Sequence, residues 1–282
     1  MSRCLYHQIE NTSSFEFCTD VLPYGSDWDE TPHFHKNFEI LVVIRGECHC
    51  EIGHESILLH EGDAAFIVPF QIHAFCAFPK AEVRRVSLHD HLIWSLASAL
   101  EKKKPANARF SPSPLVRTFF LQQLEALFGK QPTKIRRIPS RQRMMVKGCL
   151  YIIGDEFLNQ AELVPLHSAD AVIIDVVQYI ADHFKSNISL QDIAKEKGYS
   201  YHYLSRTFNS IFGIGFKTML NQYRMEYAYS MLQDTHLSVA EIAFESGFQS
   251  IRSLDHVCKQ IYGRPPSEMR NAHYGYEKSA ET

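Results

Sequence analysis

The chain lacks any run of about 20 apolar residues, the length a membrane-crossing helix requires. Its opening, Met1 to His7, also lacks the apolar core of a secretion signal. A cytoplasmic protein without membrane contact is expected on those grounds. Cysteine is present but has no pattern. Cys4, Cys18, Cys48, Cys50, Cys76, Cys149 and Cys258 are odd in number, scattered, and contain no Cys-x-x-Cys pair. That disfavours a disulfide framework or a zinc ribbon and favours buried, reduced thiols. Cys48 and Cys50 would share one face of a strand and could not easily bridge each other.

A strong net charge is missing as well. The 29 Lys and Arg and 32 Asp and Glu leave only −3, which hides a marked asymmetry. Residues 1–100 hold six basic and fourteen acidic residues, and residues 101–147 hold twelve and two. Residues 168–282 hold eleven and thirteen, so no uniformly basic domain announces a nucleic-acid partner. The basic middle, with Lys102-Lys103-Lys104, Arg136-Arg137 and Arg141, could touch phosphate. The favoured reading is a solvated helix face or a surface that docks on the acidic first hundred residues.

What is present points to two domains, since 282 residues with 45% hydrophobic content exceed one ordinary core. From about residue 15 to 90 the pattern is of short strands. Phe38 to Arg45 is apolar and β-branched and stops at Gly46; Cys48 to Ile52, Ser56 to His60, Ala64 to Val68 and Ile72 to Phe78 follow, separated by turn residues. Strands at this spacing predict a sandwich or small barrel. After residue 110 the period becomes helical. Leu115, Phe119, Phe120, Leu124, Leu127 and Phe128 form a stripe opened by Ser113-Pro114 and closed at Gly129. Met144 to Leu158 reads as a second helix, and an antiparallel pair of this kind is a natural dimer surface. Residues 161–168, with Pro165 and no period, read as a linker.

The last hundred residues carry one motif twice. Ile193-Ala194, Gly198-Tyr199, Leu204, Phe208 and Gly213 return as Ile242-Ala243, Gly247-Phe248, Leu254, Cys258 and Gly263. The offset is 49 residues to the glycine and 50 from the next serine, so Gln249 reads as an insertion. Each copy has helix-turn-helix grammar: small residues where helices cross, a glycine for the left-handed turn, then apolar residues four apart. Ser189 with Asp192 and Ser238 with Glu241 read as capping boxes, and Ser200 and Ser250 as caps of the second helices. Phe216 to Leu232 reads as a long helix between the copies, with Arg224 as an internal ion-pair partner or a DNA contact.

On these residues the stretch from Leu190 to Arg270 resembles the DNA-binding domain of the AraC/XylS transcriptional regulators. Tyr223-Arg224, Ala228, Leu232 and the closing Gly263-Arg264-Pro265-Pro266-Ser267-Glu268-Met269-Arg270 add to the match. The resemblance implies that two recognition helices enter adjacent major grooves of double-stranded DNA. By position the first would offer Tyr201, His202, Ser205 and Arg206, and the second Ile251, Arg252, Ser253 and His256. Arginine suits bidentate reading of guanine, while some of these side chains would meet only phosphate. Leu204, Phe208, Leu254 and Val257 are assigned to core. Two departures weigh on the second copy: Cys258 replaces an aromatic, implying looser packing, and Asp255 would repel phosphate unless it accepts from a cytosine amino group.

The first half resembles the cupin-like ligand domain common in these regulators. His33-Phe34-His35, Glu39 and Gly46 fit the first cupin motif, and Gly62-Asp63, Pro69 and His73 resemble the second, which here lacks its usual glycine. His33, His35 and Glu39 have equal strand parity and can share a face. Three imidazoles and a carboxylate suit a metal, but the resemblance favours an effector pocket without one. Tyr24, Trp28, His33, His35, Glu39 and His73 are the expected effector contacts, with no catalytic residue, metal or other cofactor.

The expected architecture is a two-domain α+β chain. A cupin-like β-barrel (residues 1–110) precedes a helical dimerisation segment and linker (111–167), and an all-α domain (168–282) holds two helix-turn-helix units joined by a long helix. The expected function is effector-controlled transcription regulation by a homodimer that binds promoter DNA and contacts RNA polymerase. The alternative is a metal-dependent cupin enzyme fused to a DNA-binding module.

Overall fold

The computed structural model describes residues 6–7, 16–22, 32–53, 55–135, 137–166 and 168–270. It divides into two compact units, Met1–Ala171 and Val172–Thr282.

The first unit contains strands β1 (Tyr6–His7), β2 (Phe17–Leu22), β3 (His33–Phe34), β4 (Phe38–Arg45), β5 (Glu47–Ile52), β6 (Glu55–His60), β7 (Ala64–Ile67), β8 (His73–Ala77) and β9 (Glu82–Leu88). Helix α1 (Trp94–Ala99), strands β10 (Lys103–Pro105) and β11 (Arg109–Phe110), helix α2 (Pro114–Phe128), strand β12 (Thr133–Ile135), helix α3 (Ser140–Gln160) and strand β13 (Leu163–Pro165) follow. One sheet has the order β1-β3-β8-β5-β6 and the other β11-β7-β4-β9-β2-β12. Among the described residues these sheets share no strand, so an open two-sheet sandwich stands where a closed barrel was expected.

Strand β4 shows why closure is unnecessary. Its residues Phe38 to Val43 are all buried because both faces are covered. Leu41 and Val43 join a core with Cys48, Cys50, Ile57, Leu59, Ile67 and Phe75, drawn from both sheets. Phe38, Ile40 and Val42 face the other way, into a core with Leu96, Phe120, Leu124, Leu150, Ile153 and Phe157 from the helices. A strand covered on both sides reads as a continuous apolar run instead of an alternation. Ser113 caps α2, and Gly129 ends it, as the sequence indicates. Leu115, expected in the buried stripe, is instead 81% exposed. The stretch expected to be a linker includes β13, which pairs antiparallel with β10. Part of the basic block docks on the acidic one: Arg109 lies 2.9 Å from Asp63, and Arg143 pairs with Glu16.

The second unit is helical: α4 (Ser168–His183), α5 (Leu190–Lys197), α6 (Tyr201–Phe212), α7 (Phe216–Asp234), α8 (Val239–Glu245) and α9 (Ile251–Tyr262). Pairs α5–α6 and α8–α9 are built alike. Each first helix opens on a reciprocal capping box, Ser189 with Asp192 and Ser238 with Glu241. Each pair turns through a left-handed glycine, at φ +73° in Gly198 and +84° in Gly247. The following amide then closes the helix end, Tyr199 onto Ala194 and Phe248 onto Ala243, both at 2.9 Å. Ser200 and Ser250 accept from the amides of Tyr203 and Ser253 and so start the second helices.

Packing corrects two expectations. Cys258 is fully buried, its thiol 3.4 Å from the Met269 sulfur, so Met269 fills the space that a smaller side chain leaves. Among the described residues Arg224 has no ion-pair partner. Its guanidinium donates to the carbonyls of Phe184 (2.7 Å) and Ser186 (2.8 Å), just beyond the end of α4.

Candidate functional site

Register along the six-stranded sheet decides which polar side chains meet. Cys18 on β2 pairs with Ser87 on β9, Ser87 with Glu39 on β4, and Glu39 with Ile67 on β7. Paired residues project to one face, and Ile67 places that face toward the core between the sheets. On the opposing sheet His33 pairs with His73, and His73 with Ile52, another residue of the same core. The loop between β3 and β4 supplies His35. Histidines from one sheet and a carboxylate from the other thus meet in the gap. The expectation that His33, His35 and Glu39 share one face of a single strand is corrected: His33 lies on β3, His35 in the loop after it and Glu39 on β4 of the opposing sheet, and they meet across the gap.

All four side chains are buried. The ring centroids of His33 and His73 are 4.2 Å apart, and those of His35 and His73 are 4.9 Å apart. One nitrogen from each of the three rings lies within 4.8 Å of the others. His35 Nε2 is 3.2 Å from Glu39 Oε2, and His73 Nε2 is 3.8 Å from Glu39 Oε1. Burial alone would raise the Glu39 carboxyl, but the hydrogen bond and charge of His35, with Arg85 and His73, bring it down to about 2. Burial pushes His73 well below the usual imidazole range, and the neighbouring histidines push it the same way. Glu39 is therefore ionised and His73 neutral near pH 7. Burial pushes the Cys18 thiol in the same row up to about 11.

Tyr24 and Trp28, expected as pocket walls, lie outside the described residues. Four contributors were not anticipated. Arg85 lies one step along the same face of β9 and makes a two-pronged contact with Asp20, Nε to Oδ1 at 3.1 Å and a terminal nitrogen to Oδ2 at 2.6 Å. Asn37 donates to Ser87 Oγ at 3.3 Å. The alternation Val83, Arg85, Ser87 was the available signal, because it puts both polar residues on the parity of a core valine.

The second candidate surface belongs to α6 and α9. Leu204, Phe208, Leu254 and Val257 are buried as expected. Tyr201, His202 and Arg206 are exposed on α6 with Ser205 half-buried beside them, and Ile251, Arg252, Ser253 and His256 are exposed on α9. Ser253 Oγ lies 2.9 Å from the capping Ser250 Oγ, so that hydroxyl already has a partner. Asp255, expected to repel phosphate, is held by Lys259 at 2.8 Å, which offsets its charge.

A third feature lies on the helices of the first unit. Ser95, Leu96, Val116, Tyr151, Ile152, Gly154, Asp155, Glu156 and Leu158 line a groove of about 490 Å³. Trp94 and Met144, on α1 and α3 of the same layer, are 69% and 85% exposed.

A β-sandwich with a polar cluster in its gap, followed by two capped helix pairs, defines a two-part protein: a ligand-binding domain and a helix-turn-helix domain. The family model for the AraC-like ligand binding domain matches residues 23–144, and that for the helix-turn-helix domain matches residues 193–272. The chain belongs to the AraC family of transcriptional regulators.

The Msm operon regulatory protein of Streptococcus mutans is 23% identical over 281 residues, covering 94% of this chain and 96% of that protein. An uncharacterised HTH-type transcriptional regulator of Staphylococcus aureus is 31% identical over 109 residues, or 37% of this chain. That match spans only 15% of the Staphylococcus protein's length. Among solved structures, an apo ToxT variant from Vibrio cholerae shares the fold with a TM-score of 0.55 at 14% identity, covering 93% of this chain and 98% of that one. Wild-type ToxT bound to an unsaturated fatty acid gives 0.50 at 16% identity, with 93% and 96% covered.

Proposed function

We propose that this chain is a sequence-specific, DNA-binding transcription regulator controlled by a small molecule held in its first domain. The observation that carries the reading is the duplicated helix pair, whose two second helices bury corresponding positions and leave corresponding polar faces outside. In this reading both pairs are helix-turn-helix units, and α7 fixes their separation. Tyr201, His202, Ser205 and Arg206 then meet one major groove, and Ile251, Arg252, Ser253 and His256 the next. The domains are residues 1–110, 111–167 and 168–282, and the site of action is the cytoplasm, where promoter DNA and RNA polymerase are met.

The effector binds in the gap between the sheets, where His33, His35, Glu39 and His73 converge with Asp20, Asn37, Arg85 and Ser87. An Arg–Asp pair beside imidazoles suits a polar or carboxylate-bearing molecule; the structural relative ToxT takes a fatty acid. Control requires that the effector bind two states of the chain with different affinity. A homodimer would pair through the helical layer, where Trp94, Leu115, Met144 and Ile152 leave apolar surface uncovered.

Genome-wide footprinting of bound DNA followed by competition at fixed salt tests the reading. The expected outcome is a discrete set of sites that unrelated duplex cannot compete away. Equal affinity for all duplexes would mark counterion-driven, nonspecific binding and overturn it.

A further inference from the structure

Strand β9 runs into a tripeptide, His89-Asp90-His91, whose three side chains turn toward one point at the surface. His89 is extended, and Asp90 to Leu92 form a single helical turn after it. Both flanks are fixed. Leu88, Leu92 and Ile93 are buried in the core beneath the helical layer. The His89 amide donates to the Glu16 carbonyl at 3.1 Å, and the Leu92 amide to the His89 carbonyl at 3.1 Å. On this anchored turn His89 Nδ1 lies 3.0 Å from His91 Nδ1 and 2.5 Å from Asp90 Oδ1. The far side of His91 sets its tautomer. His91 Nε2 is 2.6 Å from Glu16 Oε1, while Glu16 also accepts from the Ile138 amide at 2.7 Å and pairs with Arg143. A carboxylate so placed only accepts, so Nε2 carries the proton and the neutral ring keeps a lone pair at Nδ1. His91 Nδ1 and Asp90 Oδ1 are then two acceptors beside one nitrogen of His89, whose single proton serves only one of them well.

We infer that His89, Asp90 and His91 bind one divalent first-row transition ion of the zinc type, through His89 Nδ1, His91 Nδ1 and Asp90 Oδ1. Two imidazoles and a carboxylate are donors that such ions take. Spacing agrees. Ligands about 2.1 Å from an ion stand about 3.0 Å apart at right angles and about 3.4 Å apart in a tetrahedron. The two ring nitrogens are already 3.0 Å apart, and all three donor atoms lie within 4.8 Å of one another. The exposed Asp90 carboxylate moves outward by side-chain rotation when an ion replaces the shared proton. Glu16 supplies the outer partner, since a ligating histidine ordinarily donates its other ring N–H to a carboxylate that fixes its tautomer and orientation. Three donors on the protein side leave outward positions for water, as in open zinc sites. The buried rings of His33, His35 and His73 are a separate set. Through Glu16 the ion also reaches the Ile138 amide and Arg143, at the start of α3. Fixing His91 therefore steadies the junction between β9 and the helical layer. The inference goes beyond the regulatory reading and does not depend on DNA binding.

The test uses the full chain without an affinity tag, stripped with chelator and titrated with zinc by calorimetry, while NMR follows ring and amide signals. The expected result is one equivalent more zinc on the wild-type chain than on His89→Ala, a difference in which any ion held elsewhere cancels. His89→Ala and Asp90→Ala should each weaken this site at least about 100-fold, since losing an outer-shell partner alone costs about 10–100-fold. Glu16→Gln, which alters that outer partner, should fall within the latter range. His60→Gln, at an exposed histidine outside the tripeptide, should leave binding unchanged. In the wild-type chain zinc should shift the His89 and His91 ring signals and the Ile138 amide. In His89→Ala the Ile138 amide should stay where it is. Circular dichroism checks that each variant is folded. Should a variant misfold, the ring shifts in the wild-type chain carry the test.

Equal zinc uptake by the wild-type chain, His89→Ala and Asp90→Ala overturns the inference and leaves the tripeptide as a hydrogen-bonded turn. Ring signals of His89 and His91 that ignore zinc overturn it as well. Zinc binding without movement of the Ile138 amide overturns the link to α3. Each of these failures with intact DNA binding removes the ion alone. Lost DNA selectivity in a zinc-loaded chain removes the regulatory reading alone.

Discussion

Pairs α5–α6 and α8–α9 follow one local design in different surroundings. At Gly198 an added Cβ would meet nothing within 4 Å. At Gly247 it would lie 2.7 Å from Lys185 Cα and 2.8 Å from the carbonyls of Phe184 and Lys185. Both glycines have positive φ, but only the second also provides room for another segment. Helix α4 explains the difference. Its middle meets the first pair through side chains, with Tyr199 donating to Asp175 at 2.6 Å. The chain just past its end crosses the second pair backbone to backbone. A sequence repeat therefore encodes the local turn twice, while the packing around each turn is written once.

The sharpest test of that difference is alanine at each glycine. Gly198→Ala should cost about 1 kcal/mol, the left-handed backbone penalty alone. Gly247→Ala should cost about 3 kcal/mol or more, because the neighbours in the way are backbone and cannot rotate aside. Urea unfolding of the full chain, followed by its helical signal, measures both. Equal losses would mean that the segment after α4 yields, and the proposed asymmetry would fail.

Arg224 comes next in expected size. It is 7% exposed and serves two carbonyls with a fixed fork of donors. Arg224→Met leaves both carbonyls without that donor and should cost about 2 kcal/mol. Arg224→Lys should recover less than half, since a point charge cannot reach both acceptors as a planar fork does. Full recovery by lysine would show that only charge matters there.

The same contrast governs what could be read without coordinates. Caps, turns and the helical repeat are local, so Ser189, Ser200, Ser238 and Ser250 were legible with their roles. His33, His35 and Glu39 were legible as a group, but not the reason they meet, which is the facing of two sheets and not the parity of one strand. Arg85 and Asp20 escaped because their meeting depends on β2 and β9 being neighbours, a register that no local pattern states. Helix α1 escaped for a similar reason. Its six residues are too few for a period to show, and Leu96 is buried by tertiary packing. Open sheets in place of a barrel, and a strand within the expected linker, likewise depend on pairing between distant segments.

At the helices proposed to face DNA, unequal partners are expected. On α9, Ser253 is engaged by its own cap and Asp255 by Lys259, so in the proposed function Arg252 and His256 would carry what contact that helix makes with DNA. Arg206→Ala should cost about 1–3 kcal/mol on the cognate duplex and relax choice at one base pair. Arg252→Ala should cost under about 1 kcal/mol and act nearly equally on all sequences, as a phosphate contact does. Titrations on cognate and scrambled duplexes at one salt concentration separate the two. Reversed magnitudes would make the second pair the principal reader.

The smallest effect should be the one in which the pairs do not differ. Hydrogen bonding with Ser189, from its hydroxyl and its backbone amide, holds the Asp192 carboxyl below the usual range. Ser238 does the same for Glu241. A carboxyl whose folded pKa is depressed stabilises the folded state above its unfolded pKa, and that contribution is lost as pH falls through the lower folded value. Both groups are fully exposed, so solvent screens the gain. The expected observation is two side-chain carboxyl titrations by NMR, each shifted below its free-peptide value, with the Ser189 and Ser238 amides losing protection over the same acidic range. An unshifted Glu241 beside a shifted Asp192 would show that the crowding at Gly247 reaches back to the start of α8, and the two pairs would no longer share even their caps.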